Sequence, residues 1–183
     1  MERINRILHH PDFNLYLNKI MEAEKDRIFC GHGLVHLLDV CRLAWILYLE
    51  EGGGRAETLV PTEAEGKIAS WEKPVQSAHK EWIYAAGLLH DIGRWRQYED
   101  GTDHAQVSKE LAPAILADCG FNQAEIGIIA EAIGNHRNKE MEAKKSLSGY
   151  LYRADKKSRP CFGCRAEGAC DWSREKKNLK LLL

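Results

Sequence analysis

Apolar residues recur along this chain at spacings of three and four and rarely alternate. Phe13, Tyr16, Leu17, Ile20 and Met21 trace one face of a helix. A turn rich in glycine and histidine, Cys30-Gly31-His32-Gly33, breaks that pattern. A second apolar helix is predicted from about Leu34 to Leu49, stopped by Gly52-Gly53-Gly54. Residues 51–74 hold four glycines, Pro61, Pro74 and many charges, which predicts a long loop or insert of the kind that often serves as a lid. A third helix follows from about Val75 to Asp91. A polar turn, Arg96 to Thr102, leads to Asp103 as N-cap of a helix that reaches Cys119, with a kink near Pro113 and a stop at Gly120. Asn122 and Glu125 form a capping box for a helix ending near Asn135, with His136 at its C-terminal end. A charged linker, Arg137 to Lys145, precedes a last helix from about Ser146 to Lys157. No strand alternation or internal repeat is present, so the expected fold class is all-α.

Composition narrows the function classes. A chain of 183 residues suits one domain with a real core. Its formal net charge of −1 gives no general attraction to nucleic acid polymers or to membranes. No apolar run approaches the roughly 20 residues that cross a bilayer, and Met1-Glu2-Arg3-Ile4-Asn5 lacks the apolar core of a signal peptide. A cytoplasmic location is the expectation. The six cysteines fit it as free, metal-binding or catalytic thiols.

Candidate chemistry begins in Ala85-Ala86-Gly87-Leu88-Leu89-His90-Asp91-Ile92-Gly93-Arg94. The run reads as a buried helix, yet it carries an adjacent histidine and aspartate. Burying ionisable groups is costly unless they are neutralised, and a metal ion takes both as ligands. His36, His104, His136 and Asp155 supply further candidate ligands at or near helix ends. Imidazole with carboxylate suits Zn, Fe, Mn, Co or Ni rather than Ca. A bridging carboxylate can hold two ions about 3.5–4 Å apart, and Asp91, beside His90, is the natural bridge. Any one of these histidines alone would more often be a satisfied core residue. His32 is read as a rim residue, and His9, His10 and His79 as solvated.

Taken in order, His36, His90-Asp91 and Asp155 resemble the HD-domain phosphohydrolase superfamily. The resemblance spans roughly His32 to Arg159. His36-Leu37-Leu38-Asp39-Val40 is similar to the family's first-histidine helix, and Ala154-Asp155-Lys156-Lys157-Ser158-Arg159 to its last-ligand helix. His104 and His136 fall where binuclear members place two more histidines. The resemblance implies a helical bundle with the metal site between helices, holding one or two divalent transition metal ions (Fe, Mn, Zn, Ni or Co). It implies hydrolysis of a phosphomonoester or phosphodiester in a nucleotide or other small phosphorylated substrate, by a metal-activated water. Asp91 and Arg94 are the expected catalytic residues. Arg94, one helical turn after Asp91, departs from the acidic residue of the superfamily's mononuclear nucleotidases and favours phosphate binding. Lys156 and Arg159 are expected at further phosphates, Trp95 and Tyr98 in a pocket wall, and Trp45 and Trp82 in the core. The same ligand pattern resembles the superfamily's di-iron oxygenases, which stay open as an alternative. A non-catalytic interaction module is the second alternative, weakened by the complete ligand set.

The expected division is an HD domain over residues 1–160 and a cysteine-bearing tail, 161–183, packed on the same domain. Cys161, Cys164 and Cys170 form C-x2-C-x5-C in that tail. A structural zinc site takes four ligands. Three are local, leaving Cys30, Cys41 or Cys119 as a candidate fourth for a separate zinc. The spacing matches no common iron–sulfur motif, and free thiols packing a turn are the other reading.

Overall fold

Why the last helix of the bundle forms is plain from its ends: Ser146 accepts a hydrogen bond from the Gly149 amide at 3.3 Å, and Lys156 and Lys157 sit in the final turn. The computed structural model describes residues 1–52 and 75–181. The loop or insert predicted at 51–74 falls outside the described residues beyond Gly52. Helices α1 (Glu2–His9), α2 (Pro11–Ala23), α3 (Leu34–Glu50), α4 (Val75–Leu89), α5 (Arg94–Asp100), α6 (His104–Asp118), α7 (Gln123–Asn135) and α8 (Leu147–Lys157) follow one another. No strand occurs among the described residues, and the fold is all-α.

Helices α3, α4, α7 and α8 pack on one another and enclose the core. α6 lies on α7, α5 on α6 and α2, and α1 on α4. α4 is apolar nearly all round from Trp82 to Leu89, as a helix covered on several sides must be. It crosses α3 closely at Gly87, where an added Cβ would come 2.6 Å from Cys41 Sγ. That contact leaves Cys41 a core residue.

The hydrophobic pattern did not predict α1, which buries only Ile4 and Ile7. Charge holds it as well. Arg3 donates to Glu125 Oε2 at 2.7 Å and to Glu81 Oε2 at 2.8 Å, while Trp82 Nε1 donates to Glu125 Oε1 at 3.0 Å. Glu125 also closes the Asn122 capping box of α7. Long-range ion pairing of this kind leaves no periodic trace in sequence.

Two expectations are corrected here. Arg96 to Thr102 is mostly helix: α5 continues to Asp100 and is ended by Gly101 at φ +79. An i,i+4 pair, Arg96 with Asp100 at 2.8 Å, supports it. Trp95 accordingly stacks on Tyr16 under the Lys19 ammonium and faces α2. His79 is buried, not solvated, and its Nδ1 pairs with the Tyr48 hydroxyl at 2.7 Å. The tail runs through short 3-10 turns at Cys161–Gly163, Glu167–Ala169 and Arg174–Lys176. Asn178 Nδ2 donates to the Lys156 carbonyl at 2.8 Å, and Trp172 lies under the Arg159 guanidinium, so the tail rests on the end of α8.

Candidate metal centre

His90 and Asp91 leave the C-terminus of α4 in a tight turn toward α5, and both are buried. Four further elements converge on them. His36 comes from the first turns of α3, His104 from the first position of α6, His136 from the C-cap of α7 and Asp155 from α8. All six predicted ligands are brought together.

The two oxygens of Asp91 face different histidines. Oδ2 lies 3.5 Å from His36 Nε2 and 3.3 Å from His90 Nε2. Oδ1 lies 3.0 Å from His104 Nε2 and 3.7 Å from His136 Nε2. Asp155 Oδ1 joins the first group, 3.7 Å from His36 Nε2 and 4.0 Å from His90 Nε2. With metal–nitrogen bonds of about 2.0–2.1 Å, ligand atoms on one ion sit about this far apart.

Each ring is oriented through its other nitrogen. His90 Nδ1 donates to the Gly87 carbonyl at 2.8 Å and His136 Nδ1 to the Ile133 carbonyl at 2.7 Å. His104 Nδ1 is paired with Gln97 Oε1. Ser158 commits its hydroxyl proton to the Asp155 carbonyl at 2.8 Å, so its oxygen can accept from His36 Nδ1 at 3.3 Å. With each proton on Nδ1, the four Nε2 atoms grouped around Asp91 carry lone pairs, and that of His104 also meets Arg94 Nη1 and His136 Nε2 at 3.2 Å each. That is the usual outer arrangement of metal-bound histidine.

The residues fit a metal by a direct test. His36 Nε2, His90 Nε2 and Asp91 Oδ1 are buried without a hydrogen-bond partner. Orphaned buried polar atoms are rare, and an ion is one of the explanations that satisfies them. Two groups could each hold an ion: His36, His90 and Asp91, and Asp91, His104 and His136. Burial pushes the Asp91 carboxyl up, yet attraction to His90 and contacts with His104 and His36 hold it well below the usual carboxylate range. Burial above all pushes His136 down to about 3, which keeps its ring neutral.

The basic residues divide. Arg94 Nη1 lies 3.6 Å from Asp91 Oδ1 and 3.2 Å from His104 Nε2. Lys156 reaches its neighbour, Asp155 Oδ2, at 2.5 Å and lies over the Tyr152 ring. Arg159 stacks on Trp172 and donates to the Lys156 carbonyl. Sequence reasoning missed the groups behind the ligands. Glu24, at the end of α2, takes hydrogen bonds from the His32 amide at 2.7 Å and the Tyr98 hydroxyl at 2.5 Å, and pairs with His32 Nδ1 at 2.5 Å. Arg94 Nε in turn donates to the Tyr98 hydroxyl at 3.0 Å. Gln97 and Ser158 were missed likewise; only Ser158 lay inside a motif that could have flagged it.

This chain of contacts gives a pH prediction. Burial raises the Glu24 carboxyl, but the hydrogen bonds from His32 and Tyr98 outweigh it and lower it from 4.5 to about 2. A depressed folded-state pKa contributes stability above the unfolded value, lost as pH falls through the folded one. Glu24→Gln will therefore destabilise the protein at pH 7 by about 1.5–3 kcal/mol, as loss of hydrogen bonds to a charge does. The gap to the wild type will close between pH 4.5 and about 2. Urea melts at pH 7, 4 and 3 check this; a gap that does not change with pH contradicts it.

Comparison with known proteins agrees with this geometry. Residues 33–159 match the family described as HD domain. An uncharacterized protein of Clostridium beijerinckii is 39% identical over 181 residues, 99% of each chain. Ribonuclease Y of Enterococcus faecalis is 27% identical over 172 residues, 93% of this chain but 26% of that protein. The bifunctional uridylyltransferase/uridylyl-removing enzyme of Nitrobacter hamburgensis is 29% identical over 122 residues, 63% of this chain and 12% of that one. The chain thus spans about a quarter and an eighth of the length of these two named relatives. No solved structure matches it significantly. No helix among the described residues is long and apolar enough to cross a membrane. The matched span holds every residue of the histidine and aspartate cluster, and the chain belongs to the HD domain family, within the metal-dependent phosphohydrolase superfamily.

Proposed function

We propose that this protein is a binuclear metal-dependent phosphohydrolase acting on a small phosphorylated substrate, a phosphomonoester or phosphodiester such as a nucleotide. One observation carries the reading: the two oxygens of Asp91 address separate histidine groups, as a carboxylate shared by two ions must. His36, His90, Asp91 and Asp155 would hold one ion, and Asp91, His104 and His136 the other. Divalent ions there supply Lewis acidity, lowering the pKa of the attacking water and taking up phosphoryl charge.

The chain's own groups do the rest. Arg94, beside Asp91 and fixed by Tyr98, would hold the phosphoryl oxygens. Lys156, a third exposed, is the second phosphate contact. Arg159 is engaged by Trp172 and contributes to this role only if that stacking opens. A ribonuclease and a uridylyl-removing enzyme stand among the similar proteins, in keeping with phosphoester cleavage.

Elemental analysis of protein purified without added metal tests the reading, together with turnover of a generic phosphodiester and a nucleotide panel after Mn, Zn, Ni or Fe reconstitution. Two ions in this cluster with phosphate release is the expected result. Two irons without phosphate release would replace it by the oxygenase chemistry, and a single ion would remove the binuclear claim. His104→Ala and His136→Ala will each lose one ion and keep the other. Retention of both ions by both variants contradicts the assignment.

A further inference from the structure

The tail cysteines fall at a strict period of three with one glutamate: Cys161, Cys164, Glu167, Cys170. The chain there folds into successive 3-10 turns, in which residues three apart lie one above another. The Cys164 amide donates to the Cys161 carbonyl at 3.2 Å, the Glu167 amide to the Cys164 carbonyl at 3.2 Å and the Cys170 amide to the Glu167 carbonyl at 3.2 Å. The turns therefore deliver three thiols to one side.

A fourth thiol comes from far away in sequence. Cys30, in the stretch between α2 and α3, lines the same cavity of about 20 Å³ as Cys161, Cys164 and Cys170, together with Phe29, Glu167 and Lys177. All four cysteines are unbridged and half-buried. Cys41 and Cys119, the other candidates for a fourth ligand, are fully buried in the core.

We propose that Cys30, Cys161, Cys164 and Cys170 form a four-thiolate metal centre, separate from the histidine cluster. Such a donor set takes a zinc ion or an iron–sulfur cluster. Four half-buried free thiols around one small cavity supply the four sulfur donors of such a site. Bound as thiolates to a metal they carry net negative charge, and Lys177 on the cavity wall offsets it. The Lys177 ammonium is itself fixed by the Glu167 carbonyl at 2.8 Å and carboxylate at 2.9 Å. Outer groups of this type orient and tune metal ligands.

The centre also explains where the tail is placed. It ties the loop that leads into α3, which carries His36, to the segment that leaves α8, which carries Asp155. Both ligands belong to the same half of the histidine cluster. The thiolate centre thus acts as a clasp holding two helices of the bundle at their ends.

The full chain, purified anaerobically, tests this by elemental and acid-labile sulfide analysis of the wild type, Cys164→Ser, Cys30→Ser and Asp91→Ala. One zinc, or iron with matching sulfide, that disappears in both cysteine variants and persists in Asp91→Ala is the expected result; the sulfide content tells ion from cluster. Because the histidine cluster has no sulfur ligand, cobalt(II) added to metal-free protein gives an independent readout. Thiolate-to-cobalt absorption will be present in Asp91→Ala and in the control Cys41→Ser, and absent in Cys164→Ser. Metal content unchanged by both cysteine variants, or a wild type with no thiolate-to-cobalt absorption and no bound metal at this site, overturns the proposal. Loss of phosphate release with these signals intact would count against the phosphohydrolase reading alone.

Discussion

Asp91→Ala will reduce both ions to substoichiometric binding and take phosphate release to background. The reason is geometric: one carboxylate faces four imidazole nitrogens from its two oxygens, between 3.0 and 3.7 Å away. Losing an outer partner of a metal ligand typically costs about 10–100-fold in affinity or activity. Losing a ligand shared by both groups must cost more than that. Asp91→Asn makes the comparison sharper. It keeps the shape, but its amide nitrogen is a donor and cannot bind a cation, so one histidine group loses its oxygen and at least one ion is expected to be lost with the fold retained. Elemental analysis, turnover of the best substrate from the panel and far-UV circular dichroism check both variants. Full metal and full rate in Asp91→Ala would remove Asp91 from the centre.

Gly149→Ala carries the largest expected effect on stability. In a helix the change usually stabilises, by about 1 kcal/mol. Here the sign reverses. An added Cβ would lie 2.0 Å from the Lys144 carbonyl oxygen and 2.9 Å from that of Met141. Those are backbone atoms, and they are pinned. Arg153 donates to the carbonyls of Glu142 at 2.8 Å and Lys144 at 2.9 Å, and its other amino group is held by Glu51 at 2.9 Å. Relief therefore requires moving α8 or the turn before it. Overpacking typically costs 1–3 kcal/mol and occasionally more; about 3 kcal/mol is expected here. That corresponds to a Tm lower by about 6–12 °C for a chain of this size. Weaker metal binding should accompany it, since α8 carries Asp155. Calorimetry of the metal-free and loaded protein reads both effects, and an unchanged Tm would show that the turn gives way freely.

How much of this was legible beforehand depended on what kind of force set each feature. Helices α3, α6, α7 and α8 were predicted within a few residues because their apolar faces and caps are local: Asn122 with Glu125, Ser146 with Gly149, Asp103 with Ala105. α1 and α5 were not, because the apolar face of α1, Ile4, Ile7 and Leu8, spans barely two turns and α5 buries no residue at all. α1 is held by Arg3 reaching Glu81 and Glu125, and α5 lies on α2 and α6. His79 was misplaced for the same reason. Its partner, Tyr48, lies on another helix.

The residues of the cluster could be read from sequence because a histidine and an aspartate in an apolar helix demand a neutralising partner, and the order of the remaining residues resembled one family. Sequence by itself determined the all-α class, the six residues of the cluster and the run of three tail cysteines. Tertiary structure alone decided how Asp91 divides its oxygens between two histidine groups, which nitrogen each imidazole presents, and that Arg94 faces the cluster while Arg159 stacks on Trp172. It also chose Cys30 over Cys41 and Cys119 as neighbour of the tail thiols. These are relations between helices distant in the chain, fixed by packing and by hydrogen bonds of a few ångströms, and no local pattern encodes them.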